Sequence, residues 1–288
     1  MWKDKAVYIL LAGAASISIL IVFLIFLFLG KEAGSFIFYP GIKELFDSHW
    51  IPVSFVKERF GILPLLSGSA LVTAIAMVIT VPVSVLSAVY IAEIARPWER
   101  EVLKPFIEIL AGIPSVVLGF FGLIVLAPFI KNVLGLSSGL NGLTGGILLA
   151  LMAVPTVVTI SEDAIISVPF SYKNASLALG ASELQTIWKV TVPAALPGII
   201  AAVMLGVGRV IGETMAVLMV TGNAALITFS PFAPVRTMTA TIAAEMGEVP
   251  IGSVHYQALF AIGITLLIIT FILNVIARIV LTKYGMKK

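Results

Sequence analysis

Apolar residues along this chain come in long uninterrupted stretches, not in alternation. Six stretches stand out, at roughly 6–30, 65–92, 106–130, 143–166, 195–221 and 256–282. A helix rises about 1.5 Å per residue, so about 20 apolar residues cross a hydrocarbon core about 30 Å thick. The alternating segments of about 10 residues that barrel strands require are absent. Backbone groups inside lipid must satisfy one another, so each span is expected to be a helix. The pattern predicts an all-α integral membrane protein with six transmembrane helices. Its first span follows Met1-Trp2-Lys3-Asp4-Lys5. That span is longer than the apolar core of about 7–15 residues in a signal peptide, and it reads as a retained helix.

Composition agrees. The 288 residues are 60% hydrophobic and 11% charged, with a mean hydropathy of +1.13. Soluble domains carry about 25% charged residues. The net charge of +3 comes from Lys and Arg at the ends of spans, so no nucleic-acid footprint is present. Absence of cysteine excludes disulfides and thiolate metal sites, and His49 and His255 stand in no ligand-spacing motif. No cofactor is expected. With the N-terminus inside, Lys3, Lys5, Arg96, Arg100, Lys104, Lys173, Lys189, Arg278, Lys283, Lys287 and Lys288 fall on the inner side. Fewer basic residues, such as Lys31, Lys131 and Arg236, fall outside, so both termini are expected to be cytoplasmic. Phe36, Phe38, Tyr39, Phe46 and Trp50 read as interfacial aromatic anchors in the first outer loop.

The excursion 167–194 between the fourth and fifth spans has helix-forming composition. Asn174 to Gly180 supplies about two helical turns, and Gly180 suits a helix end because it reaches positive φ cheaply. Ser182, with Gln185 three residues on, makes a capping box for a second arm bearing Leu184, Ile187 and Trp188. Pro193 and Pro197 are expected to stop that arm and start the next span. Two readings stand: a helix lying in the headgroups, or a coupling knob that inserts an apolar ridge into a partner's groove.

Arg209 and Glu213 lie inside the fifth apolar run. A bilayer arginine costs about 2.5 kcal/mol or more, so it implies a partner, a watery cavity or both. At i,i+4 the two residues share a helical face, with Glu213 placed to hold Arg209. Gly208 and Gly212 form a small-xxx-small pair that admits another helix. Either the pair is a structural salt bridge or the guanidinium meets an anionic cargo; its fork of donors suits a tetrahedral oxyanion.

Ile113-Pro114-Ser115-Val116-Val117 and Val154-Pro155-Thr156-Val157-Val158 echo each other inside spans. Such prolines interrupt the helical ladder, and Ser or Thr can repair the loss. Ser115, Thr156 and Thr159 are candidates for lining a path. Glu93, Glu99, Glu101 and Glu108 read as solvated or interfacial partners of the nearby Arg96, Arg100 and Lys104, and Glu162 and Asp163 as contacts of the hairpin or a partner. Arg236, Glu245 and Glu248 read as outer surface charges or as contacts for a soluble protein.

The hairpin resembles the cytoplasmic loop of ABC-importer permeases, whose pattern is Glu-Ala-Ala, three residues, Gly, nine residues and an Ile-x-Leu-Pro ending. Aligned on Gly180, this chain has Asn174-Ala175-Ser176 and then Val190-Thr191-Val192-Pro193. The neighbourhood of Arg209 and Glu213, the outer segment 234–248 and Ala111 to Val117 resemble phosphate-specific ABC permeases, with the outer segment closer to the PstC-like than to the PstA-like subunit. The resemblance runs from about Gly61 to the C-terminus. It implies a five-helix importer permease core (MetI-like) at 64–282, with coupling hairpin 171–193, preceded by a peripheral helix and outer loop at 1–63 and followed by a tail at 283–288.

It further implies inorganic phosphate as cargo. The implied partners are a homologous PstA-like permease, two PstB-like ATPase subunits and an outer PstS-like phosphate-binding protein, in a prokaryotic cytoplasmic membrane. Asn174, Ala175, Gly180, Ala181, Ser182, Trp188 and Pro193 then fall at the ATPase contact. Another tetrahedral oxyanion, sulfate or molybdate, is the alternative cargo. The sequence has no G-x-x-x-x-G-K-[ST], no H-E-x-x-H and no G-x-S-x-G, so a transport subunit is expected rather than an enzyme.

Overall fold

The computed structural model describes residues 2–284, among which six helical segments are long and apolar enough to cross a membrane. The tail residues 285–288 lie outside the described residues. Helix α1 (Trp2–Phe36) is one continuous rod. Its side chains from Val7 to Phe28 are exposed, whereas Ala33 and Phe36 are buried against residues of the last span. A short antiparallel pair follows, β1 (Trp50–Ile51) with β2 (Arg59–Phe60), and sets Trp50 opposite Phe60. Phe36 and Trp50 are therefore core residues rather than interfacial anchors, while Phe38, Tyr39 and Phe46 stay exposed.

Helix α2 (Leu63–Val89) carries Pro64 in its first turn, where the missing N–H has no helical partner to lose. A π-helical turn extends it to Ile94. Helix α3 (Pro97–Gly112) lies at the edge of the bundle, with Leu103 and Ile107 packed against the core and none of its described residues fully buried. The chain leaves helical geometry at Ile113 and Pro114, then forms α4 (Ser115–Phe121) and α5 (Ala127–Leu134), joined through a π turn. The third span is thus 115–134, not 106–130. Pro114 removes an amide and pushes Ile113 out of the α region, so the apolar run is cut there.

Helix α6 (Gly142–Ile166) is the central element, and Asn141 caps it by accepting the Thr144 amide. It runs unbroken through buried Pro155 and is flanked by α2 and the fifth span. The close approach needs glycine: a Cβ on Gly146 would lie 2.4 Å from Ile75, and one on Gly206 would lie 2.5 Å from Val157. Helix α7 (Phe170–Ala178) opens the hairpin. Its second arm, α8 (Glu183–Thr186), joins α9 (Val192–Gly212) through a π turn at Ile187–Thr191. Pro193 and Pro197 therefore do not separate the arm from the span. The extra residue of the π turn, closed by Val192 N–H on the Ile187 carbonyl, absorbs the ladder position that Pro193 cannot fill.

Beyond Gly212 the helix stops, and α10 (Met215–Val220) starts in a new direction. An extended loop leads to α11 (Met238–Glu245) and then to α12 (Val254–Tyr284). The expected fifth span, 195–221, is thus a rod ending at Gly212 plus a separate short helix.

Candidate functional site

The rod's last turn carries Arg209, an exposed side chain within an apolar span. Its Nη1 donates to the Thr156 hydroxyl on α6 at 2.7 Å. Glu213 follows the last helical residue with extended backbone, φ −68° and ψ 136°. Its carboxylate turns onto the start of α10, accepting the amides of Thr214 at 3.1 Å and Ala216 at 3.4 Å. The expected hold of Glu213 on Arg209 is not made. The i,i+4 geometry needs a helix continuing through Glu213, and this one ends before it. Both residues border one narrow crevice with Leu149, Met152, Ala153 and Val210, with no room in it for a water molecule. Gly208 and Gly212 face open space, so no helix among the described residues is the one they were expected to admit.

Thr156 joins Arg209, but the other hydroxyls do not. Thr159 donates its proton to the Pro155 carbonyl of its own helix at 3.0 Å. Ser115 opens α4 after the Pro114 break, and no hydrogen bond joins it to Arg209 among the described residues.

At the opposite end of the rod the hairpin is well specified. Gly180 takes φ +83°, and the amides of Gly180 and Ala181 return to the carbonyls of Leu177 and Ser176 at 2.9 and 3.3 Å. These two bonds make a Schellman close to α7. Ser182 and Gln185 form the expected capping box. A contact of 2.9 Å between the Ser176 and Thr186 hydroxyls ties the arms together. Leu184 and Trp188 are exposed, at 61% and 47%, whereas Ile187 is buried and belongs to the bundle. Asn174, Ala175 and Pro193 are exposed as well.

Ion pairs brace this end, and their residues are too far apart along the chain for spacing to announce them. Glu93, just beyond α2, pairs with Lys173 of the hairpin rather than with Arg96, Arg100 or Lys104, and both side chains are largely buried. Lys173 also lies over the Phe170 ring. Glu162, buried in α6, pairs with Lys104 of α3 at 3.1 Å. Glu99 caps α3 by accepting the Arg96 amide.

The far end holds a second cluster. Glu245 accepts Arg236 Nη1 at 2.8 Å and the indole N–H of Trp50 at 3.1 Å, and contacts His255 Nε2 at 2.8 Å. Arg236 and Glu245 are thus largely buried partners, not surface charges. Burial alone would raise the Glu245 carboxyl. The His255 hydrogen bond, the Arg236 charge and the Trp50 bond together outweigh it and hold the group below the ordinary value.

Six apolar spans, a stiff hairpin continuous with one of them and a charged break at that span's other end define a membrane transport subunit with the importer permease fold. The chain belongs to the binding-protein-dependent transport system inner membrane component family, matched over residues 81–285. It is 39% identical over 237 residues to the probable ABC transporter permease protein YqgH of Bacillus subtilis, covering 82% of this chain and 76% of that protein. It is 34% identical over 262 residues to the phosphate transport system permease protein PstC of Mesorhizobium japonicum, covering 84% and 79%. Two solved structures share the fold. One is the inward-facing MetNI methionine ABC transporter, with TM-score 0.59, 20% identity, and 78% of this chain and 95% of that chain covered. The other is a bacterial ABC transporter involved in the import of the acidic polysaccharide alginate, with TM-score 0.66, 15% identity and 99% of both chains covered. The expected MetI-like architecture is therefore present, and the chain is a transport component rather than a catalyst.

Proposed function

We propose that this chain is the PstC-type permease subunit of a phosphate importer and forms half of the path for inorganic phosphate through a prokaryotic cytoplasmic membrane. The observation that carries the reading is Arg209: an exposed guanidinium in an apolar span, with no carboxylate at ion-pair distance among the described residues. Its solvation cost of about 2.5–3.5 kcal/mol or more is offset if an anion passes beside it. Similarity to PstC proteins over most of the chain supports phosphate as that anion. Thr156 orients the guanidinium, and its remaining donors grip two oxygens of the cargo. Ser115 and Thr159 are at most secondary, and Glu213 sets the geometry of the break.

The open α9 face at Gly208, Arg209 and Gly212 is where a homologous PstA-like permease completes the path. Both termini and the hairpin lie on the cytoplasmic side, where two PstB-like subunits hydrolyse ATP and seat the ridge of Leu184 and Trp188. Asn174, Ala175, Gly180, Ala181, Ser182 and Pro193 shape that contact. A PstS-like phosphate-binding protein delivers cargo at the other face. Residues 1–63 are peripheral, and 64–282 form the transport core.

The continuous backbone from Glu183 to Gly212 gives the coupling a mechanical form. A helical rod of 30 residues is about 45 Å long. Movement of the hairpin by the ATPases therefore displaces the Arg209 end directly, with no hinge at Pro193. ATP-dependent uptake of radiolabelled phosphate by the reconstituted complex, with sulfate and molybdate as competitors, tests the reading. Selective phosphate uptake is expected; equal competition by sulfate points to a general oxyanion permease.

A further inference from the structure

The break between α9 and α10 is held from a distant segment. A helix end leaves carbonyls without intrahelical partners, and they must find others. The Glu213 carbonyl accepts the Thr239 hydroxyl at 2.7 Å. Thr239 is 8% exposed and lies in the first turn of α11. A hydroxyl has one proton to give. With that proton on Glu213, the 3.2 Å contact of Thr239 with Thr237 uses the Thr237 proton. Thr237 Oγ1 in turn accepts the Ala240 amide at 3.2 Å. The bonds therefore run in one direction, from α11 to the break.

Helix α11 is itself anchored at both ends. The Met238 amide donates to Ser69 Oγ of α2 at 3.0 Å. The backbone of Arg236 lies so close to α2 that a Cβ on Gly68 would sit 2.3 Å from its carbonyl oxygen. At the other end Glu245 is gripped by Arg236, His255 and Trp50. Thr239 is thus a fixed point, and the break is held to it.

The consequence concerns Arg209. If α9 continued helically through Glu213, that carboxylate would lie one turn beyond Arg209 on the same face and compete for it. The break instead spends the Glu213 carboxylate on the α10 amides and leaves Arg209 to Thr156. We propose that Thr239 is a positioning residue for the anion site: its bond to the Glu213 carbonyl keeps the helix broken and so keeps Arg209 available to cargo. This rests on the reading of Arg209 as the cargo-binding residue.

The test measures phosphate KM and maximal rate in proteoliposomes containing the assembled complex. Thr239→Val should raise KM about 3- to 10-fold, the worth of one hydrogen bond, with the maximal rate largely kept. Thr239→Ser should restore the wild-type KM. In a Glu213→Gln background, Thr239→Val should add no further rise, because the competing charge is gone. If Thr239→Val lowers the yield of complex, Thr239→Ala removes the same hydroxyl and should give the same rise. Wild-type KM for Thr239→Val alongside an impaired Arg209→Lys overturns the role of Thr239. So does an equal KM rise with and without the Glu213 carboxylate. Wild-type transport by Arg209→Lys overturns the cargo reading itself, whatever Thr239 does.

Discussion

Lys104 reaches across from α3 to close a 3.1 Å ion pair with Glu162, a carboxylate only 3% exposed in the central helix α6. Helix α3 has no fully buried residue, but Leu103 and Ile107 pack against the core and Arg100 donates to the Ala92 carbonyl at 2.8 Å, so this pair is one of several ties between α3 and the bundle. Removing one member of such a pair leaves the other buried and unpaired.

Lys104→Met should therefore destabilise the protein by about 1–3 kcal/mol, discounted because Lys104 is itself 44% exposed to screening solvent. Glu162→Gln should cost less, since it leaves no buried charge. The double variant should recover much of the loss. Thermal unfolding of the purified complex for the three variants checks this; additive losses would show that the pair carries no coupling.

The Arg209–Thr156 bond predicts a second effect. Thr156→Val keeps the shape of the side chain and removes the acceptor of the 2.7 Å bond. A hydrogen bond to a charged group contributes about 1.5–3 kcal/mol, so phosphate KM should rise about 10-fold or more. Thr156→Ser should behave as wild type. Uptake kinetics in vesicles decide it.

Gly180 predicts a coupling defect. It holds φ +83°, and a Cβ there would meet no other atom, so the penalty of substitution is backbone strain alone. Gly180→Val should cost about 1–2 kcal/mol in the hairpin turn and Gly180→Asn less, because Asn tolerates left-handed geometry. The expected signature is ATP hydrolysis retained with phosphate uptake reduced, in the order Val worse than Asn. Unchanged uptake for Gly180→Val would contradict the stiff-knob account.

Acid should loosen the outer cluster. The Glu245 carboxyl is held below its ordinary value of 4.5. A lowered folded value contributes stability that is complete above the ordinary value and is lost as pH falls through the lower one. Wild-type thermal stability should therefore fall below about pH 4.5, and Glu245→Gln should flatten that acid limb. Melting curves recorded at constant salt from neutral pH down through the acid limb read the difference between the two proteins. Parallel curves would show that Glu245 does not carry it.

Much of this was readable in the residues, and the failures have physical causes. Gly180 and the Ser182–Gln185 box act within one turn, so local chemistry sufficed. The spans were legible because long apolar runs have few alternatives in lipid. The breaks were not. Pro114 and Pro155 sit in echoing segments, yet only Pro114 interrupts the helix. Pro155 is buried in the central helix, where packing on both sides holds the backbone straight; Pro114 is exposed and has no such support. The break at Glu213 has no proline at all. Its carbonyl is taken by Thr239, 26 residues away, and no local pattern announces that bond. The Glu93–Lys173 pair, 80 residues apart, was hidden for the same reason.

The central claim is that the Arg209 guanidinium binds phosphate on its way across the membrane, and ATP-dependent phosphate uptake by the reconstituted complex carrying Arg209→Lys tests it most directly. Lysine keeps the charge but loses the two-oxygen fork, so the account predicts intact assembly with uptake reduced about 10-fold or more. Uptake at the wild-type rate and KM would contradict it.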